Sequence, residues 1–229
     1  MSSVLENDEK GPNVYGDDED TSAFLSAFQV AWKNCTTDYQ SRLVNSEHTL
    51  QSALYFHLRN ALDPKHFVLY TEMVVRLGED DNETKNKSVI DLVVSRRLVD
   101  SNQLEVIGAI EVKFTPRGCP VKHAVEKDLR SLSVIRNRRS SEHRANLNVE
   151  RFAGDETQVL IHRGRKMVIA ALIDSKHKDR FDQHCNDGIE KVWGGRHPKN
   201  LVTAIAYSNG PIATDVSGAP IDRSLTESL

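Results

Sequence analysis

Cysteine is scarce and odd in number: Cys35, Cys119 and Cys185 are the only three in 229 residues, and they stand far apart. That spacing excludes a disulfide framework and a clustered zinc site, so a reducing, cytoplasmic setting is expected. Long apolar runs are also missing, since no stretch reaches the roughly 20 apolar residues of a membrane span. Residues 1–20 are acidic and polar and do not read as a secretory signal. No membrane partner is therefore expected. The nine histidines show no H-E-x-x-H or comparable ligand spacing. Gly154, Gly164 and the Gly194-Gly195 pair look like turn residues and form no phosphate loop. No internal repeat is present, which excludes solenoids.

Net charge is −3, but it is unevenly spread. Residues 1–20 hold seven acids and one base, a net of −6, which leaves +3 for the rest. Within that rest, residues 112–151 carry ten Lys/Arg against four Asp/Glu. A local basic stretch matters more for phosphate contact than the whole-chain sum. A solvated helix face is the plain alternative.

Residues 1–20 read as an acidic disordered tail, 21–207 as one domain, and 208–229, rich in Ser, Gly, Pro and Asp, as a flexible tail. Apolar spacing predicts helices over 21–33, 41–62, 121–138 and 178–193. Runs rich in Val, Ile and Leu predict strands over 66–77, 88–98, 103–114, 166–174 and 201–207. Residues 78–88 are a polar hairpin connection. The order is helix, three strands, helix, strand, helix, strand, after one leading helix. It predicts an α/β domain: an antiparallel meander extended by parallel strands through right-handed crossovers, with helices on both faces.

The informative residues are acids placed where apolar side chains belong. The third strand reads Val106-Ile107-Gly108-Ala109-Ile110-Glu111-Val112-Lys113-Phe114. Strict alternation puts Val106, Gly108, Ile110, Val112 and Phe114 on one face. Ile107, Ala109, Glu111 and Lys113 then share the other. Alone, Glu111 and Lys113 are an ordinary ion pair. Asp91 interrupts Val89-Ile90-Asp91-Leu92-Val93-Val94, and burying its charge is costly unless it is paired or binds metal. If those two strands are neighbours, Asp91 lies beside Glu111. Two adjacent carboxylates repel, a divalent cation relieves the repulsion, and hard oxygen donors favour Mg2+ or Mn2+. Glu47 falls on the apolar stripe Leu43, Glu47, Leu50, Leu54, Leu58 and Ala61, with Gln51 one turn later over the same spot. Its other reading is favourable placement at a helix start. Glu72 interrupts the first strand, on a face with Val68, Tyr70 and Val74, or is simply exposed at an edge.

This combination resembles the PD-(D/E)XK nuclease superfamily. Its motif is an acid opening the second strand, here Asp91, then (D/E)-x-K on the third, here Glu111-Val112-Lys113. The family's helical glutamate looks matched by Glu47, and a basic–acidic–apolar run after the motif by Lys127-Asp128-Leu129. Ile90 stands where the motif's name has proline. The resemblance covers roughly residues 41–207. It implies a restriction-endonuclease-like mixed sheet and a metal-dependent nuclease acting on nucleic acid, with DNA the expected form. Asp91, Glu111, the Val112 carbonyl and Glu47 would hold Mg2+ or Mn2+, and Lys113 would orient water or neutralise charge on phosphorus. Lys122, Lys127, Arg130, Arg136, Arg138 and Arg139 would hold the phosphate backbone. Lys113→Ala is expected to abolish cleavage and leave the fold intact. A catalytically inactive binding or assembly subunit of the same fold, and an unrelated α/β protein with a plain ion pair, stay open. Enzymes cutting both strands often work as symmetric dimers, which leaves a homodimer or a partner subunit open as well.

Overall fold

A computed structural model describes residues 19–76, 87–98, 103–137, 158–160, 165–196, 198–209 and 215–217. In chain order these form α1 (Glu19–Gln40), α2 (Glu47–Ala61), β1 (Phe67–Arg76), β2 (Lys87–Arg97), β3 (Gln103–Thr115), α3 (Lys122–Asn137), β4 (Gln158–Leu160), β5 (Lys166–Ile173), α4 (Lys178–Trp193), β6 (Leu201–Tyr207) and β7 (Asp215–Ser217). The strands build one mixed sheet in the order β1-β2-β3-β5-β6-β7. The β1–β2 and β2–β3 pairs are antiparallel, and β3–β5 and β5–β6 are parallel. The antiparallel meander and its parallel extension are therefore present. β4 and β5 share one edge of β3, β4 along its first residues and β5 from Gly108 onward.

Two apolar layers enclose the sheet. Phe24, Phe28 and Trp32 of α1 and Leu50, Leu54 and Leu58 of α2 cover one face. Val125, Leu129 and Leu132 of α3, with Phe181, Cys185 and Ile189 of α4, cover the other. β5 is buried at every position, as expected of a central parallel strand covered on both sides.

Several boundaries differ from the sequence reading. α1 begins two residues inside the expected tail, where Asp20 pairs with Arg96 at 2.5 Å and His66 at 2.7 Å. It runs on to Gln40, because Cys35 and Thr36 are buried despite a polar stretch. α2 starts at Glu47, not near residue 41. Ser46 caps it reciprocally with Thr49, which satisfies the free N–H groups of the first turn. Leu43 consequently leaves the predicted stripe and is 70% exposed. Residues 215–217 are not part of a loose tail, since β7 pairs antiparallel with β6. The predicted connection over 78–86, Arg138 and Arg139, and residues 1–18 lie outside the described residues.

The alternation of side chains breaks twice, and both breaks correct the predicted faces. In β3, Ile107 packs with the α1–α2 layer while Val106 packs with the α3–α4 layer, the reverse of strict alternation from Ile110. The cause is a bulge, because Val94 pairs with Gly108 but Ser95 pairs with Val106. Gly108 meets Phe24 there, and a Cβ at that position would lie 2.4 Å from the ring. Gly108→Ala is expected to cost about 1–3 kcal/mol, because a close-packed core absorbs an added methyl only by straining its neighbours. An unchanged denaturant midpoint would refute this.

The second break spans β1 and β2. Ile90 packs in the α3–α4 layer, yet Leu92, two residues on, packs in the α1–α2 layer. Across the ladder, Val68, Tyr70 and Met73 all contact the α3–α4 layer. The turnover residues are Asp91 and, opposite it, Glu72, whose φ of 52° is left-handed. Glu72 is exposed on β1, at the end of the strand order and at the point where the alternation turns over.

Candidate active site

The chemistry-bearing residues meet at one end of the sheet, where β2 begins and β3 ends. The Asp91 turnover decides how. Regular pairing of β2 with β3 stops at Leu92–Ile110. Beyond it the Asp91 carboxylate replaces a backbone partner, and its Oδ2 accepts the Val112 N–H at 2.7 Å. The Asp91 carbonyl in turn accepts from Nε2 of Gln51, buried in α2, at 2.8 Å. Gln51 thus stands over the spot its helical spacing indicated. Asp91 is held rigidly from both sides.

Glu111 and Lys113 point toward the α3 side of β3. Glu111 is only 3% exposed, and its Oε1 has no hydrogen-bond partner among the described residues. Burial pushes its carboxyl up to about 10, and the neighbouring charges of Asp91 and Asp128 push in the same direction. Lys113 Nζ donates to the Val112 carbonyl at 2.9 Å and lies 3.1 Å from Asp128 and 3.5 Å from Glu47. Burial works against its charge, but Asp128 and Glu47 outweigh that and raise its pKa. Glu47 reaches over from the first turn of α2 and accepts the Phe114 N–H at 3.3 Å.

Asp128 was absent from the site expected from sequence. It sits on the buried side of α3 at 5% exposure. Burial raises its carboxyl to about 7 even though Lys113 pulls it down. The signal was available, because Asp128 falls between Val125, Leu129 and Leu132 on the apolar stripe, as Glu47 does on α2.

One ammonium therefore serves four carboxyl groups: Glu47, Asp91, Glu111 and Asp128. The remainder is repulsion that protons or a cation must neutralise. Among the described residues, no three His, Cys, Asp or Glu side chains stand together as a metal-holding group. Asp91 and Glu111 nevertheless fit a divalent cation as a pair, for the Glu111 Oε1 is a buried hard donor with no hydrogen-bond partner among the described residues. The Val112 carbonyl and Glu47, also expected as ligands, are here engaged by Lys113 and, for Glu47, by the Phe114 N–H.

The expected phosphate-binding residues lie on or after α3. Lys127 and Arg130 are exposed. Lys122 is tied to Asp187 of α4 at 2.7 Å, which weakens its claim. Arg136 falls in the last turn of α3. All three cysteines are free. No described helix is long and apolar enough to cross a membrane. No family model matches the chain, and neither a curated protein nor a solved structure matches it.

Proposed function

We propose that the chain is a metal-dependent nuclease of the PD-(D/E)XK type that hydrolyses phosphodiester bonds, with DNA the favoured substrate. The observation that carries this reading is the convergence of Asp91, Glu111, Lys113 and Glu47 from three elements, around a buried carboxyl oxygen that has no hydrogen-bond partner among the described residues. A structural ion-pair cluster has no use for such an oxygen, whose burial costs stability.

Asp91 and Glu111 would hold Mg2+ or Mn2+, which supplies Lewis-acid polarisation of the phosphate and a lowered pKa for water. The remaining steps belong to the protein. The Val112 N–H fixes the Asp91 carboxylate and Gln51 holds the Asp91 main-chain carbonyl, so the site is preorganised before substrate arrives. Lys113 keeps its charge although its side chain is largely buried, and it faces the charge that develops on phosphorus. Glu47, half exposed and within reach of the Lys113 ammonium, positions that lysine and is the most accessible of the four acids. Lys127 and Arg130 supply exposed positive charge beyond the site for the nucleic-acid backbone.

The test is cleavage of labelled single-stranded DNA, duplex DNA, branched DNA and RNA with Mg2+, Mn2+ or EDTA, comparing wild type with Asp91→Ala. Metal-dependent cutting should disappear in the variant, by at least about 10²-fold, the scale on which a preorganised charge contributes. Binding without cutting by wild type would instead indicate an inactive binding subunit of this fold. Neither cutting, binding nor metal affinity would reduce the cluster to a structural ion pair.

A further inference from the structure

A cleft of about 740 Å³ opens between the end of β3 and the loop from α1 to α2, and is not used by the residues above. Its size lies within the roughly 300–1,000 Å³ of pockets that enclose small ligands. One wall is the end of β3 and the loop after it, with Phe114, Thr115 and Arg117. The other is the end of α1 and the loop into α2, with Tyr39, Arg42 and Asn45. Both walls adjoin Glu47 of the acid cluster, one along the chain and one by a hydrogen bond. Phe114 follows Lys113 and donates its N–H to Glu47, and Asn45 precedes the Ser46 cap of the helix that carries Glu47.

The lining combines two chemistries. Tyr39 and Phe114 form an aromatic pair with centroids 5.9 Å apart at 71°. Arg42 and Arg117 are exposed, one on each wall, and neither has an ion-pair partner among the described residues. Arg42 also adopts φ 62°, a backbone conformation glycine takes at less cost. A simple anion would leave the rings unused, and an apolar ligand would leave the arginines unused. A nucleotide uses both, with its base on the rings and its phosphates on the arginines. The arginines also offset the four acids nearby, which repel any polyanion approaching the site.

We propose that this cleft is a subsite for one unpaired nucleotide next to the scissile phosphate, which makes single-stranded nucleic acid the substrate class. A base within a duplex is stacked between its neighbours and cannot reach an aromatic pair in a cleft of this size. The placement relative to the scissile phosphate rests on the nuclease reading; binding in the cleft does not.

The experiment measures binding of the full chain in EDTA to a fluorescein-labelled single strand of about eight nucleotides, as DNA and as RNA, and to the blunt duplex of the same sequence. Cleavage by wild type is followed in parallel with Mg2+. Wild type should bind the single strand roughly tenfold more tightly than the duplex, and Tyr39→Leu should weaken that binding about tenfold with an unchanged salt slope. Arg42→Ala/Arg117→Ala should lower the slope of log K against log salt by about 0.7 per arginine removed. Thermal melts of each variant show that it folds. Unchanged binding in both folded variants, with wild-type cleavage intact, overturns the subsite and leaves the nuclease standing. Equal affinity for duplex and single strand also overturns it. Loss of binding in the variants without any wild-type cleavage supports the cleft and removes the nuclease reading.

Discussion

Glu111→Gln is expected to end cleavage and at the same time to raise the melting temperature in metal-free buffer at pH 8, by roughly 5 °C or more. The reason is the folded-state pKa of about 10, against an ordinary value of 4.5. Between those two values the unfolded chain has lost the proton and the folded chain retains it. Fewer protons bound in the unfolded state means that stability falls as pH rises through that window. Below the window both states are protonated, and the penalty vanishes. Each unit of separation corresponds to about 1.4 kcal/mol, so even a fraction of the full shift is a large destabilisation. Glutamine fills the same volume and carries no charge to bury. The wild-type melting temperature should therefore decline from pH 5 to pH 9, and the variant's profile should be flatter. A residual slope below about pH 7 remains, because Asp128 is displaced upward too. Mg2+ should raise the wild-type melting temperature and leave the variant's unchanged. Superimposable pH profiles for the two proteins would mean that Glu111 does not carry a buried charge penalty.

Lys113→Ala is expected to reduce cleavage by roughly 10²–10³-fold, the scale for losing a charge that faces the developing charge of a reaction. It is not expected to leave the fold untouched, as sequence reasoning alone would have it. Lys113 is the only cation within ion-pair distance of Asp128 among the described residues, and both side chains are largely buried. Removing it strands a carboxylate, which costs up to about 3 kcal/mol where that carboxylate is ionised. The loss should be greatest above pH 7 and should fade as acid neutralises Asp128. The double variant Lys113→Ala/Asp128→Asn should recover most of the stability and none of the cleavage. If the single variant melts like wild type at pH 8, Asp128 is not dependent on this lysine.

Asp91, Glu111 and Glu47 were legible because a charge inside an apolar pattern demands a reason. Asp128 bore the same mark on α3 but was read as one member of a short run. The layer order was legible too, since strands of β-branched residues and helices of period 3.6 alternate clearly along the chain. The breaks in alternation were not. From Ile107 to Ile110 every residue is apolar or glycine, so a period of two has nothing polar to alternate against. The bulge is decided by the partner strand and by Phe24, neither of which is local. The turnover at Asp91 depends on the Val112 N–H, 21 residues away. The strands Gln158–Leu160 and Asp215–Ser217, with 3 residues each, are too short to show a period and exist only because a neighbouring edge is free to pair. The start of α2 was misplaced although Ser46 and Thr49 spell a cap, because Leu43 happens to continue the apolar spacing upstream.

The left-handed residue in β1 bears on how the protein behaves in a crowd of its own copies. Among the described residues β1 forms one margin of the sheet, and a margin strand of 10 residues offers hydrogen-bonding groups on which another chain can pair. Glu72 divides that row into two short pieces, turns the backbone out of line between them and places an exposed charge at the joint. A break of this kind makes an edge strand a poorer template for pairing, and it lies opposite the turnover that brings Asp91 to the acid cluster. Straightening the strand would endanger solubility as well as the site.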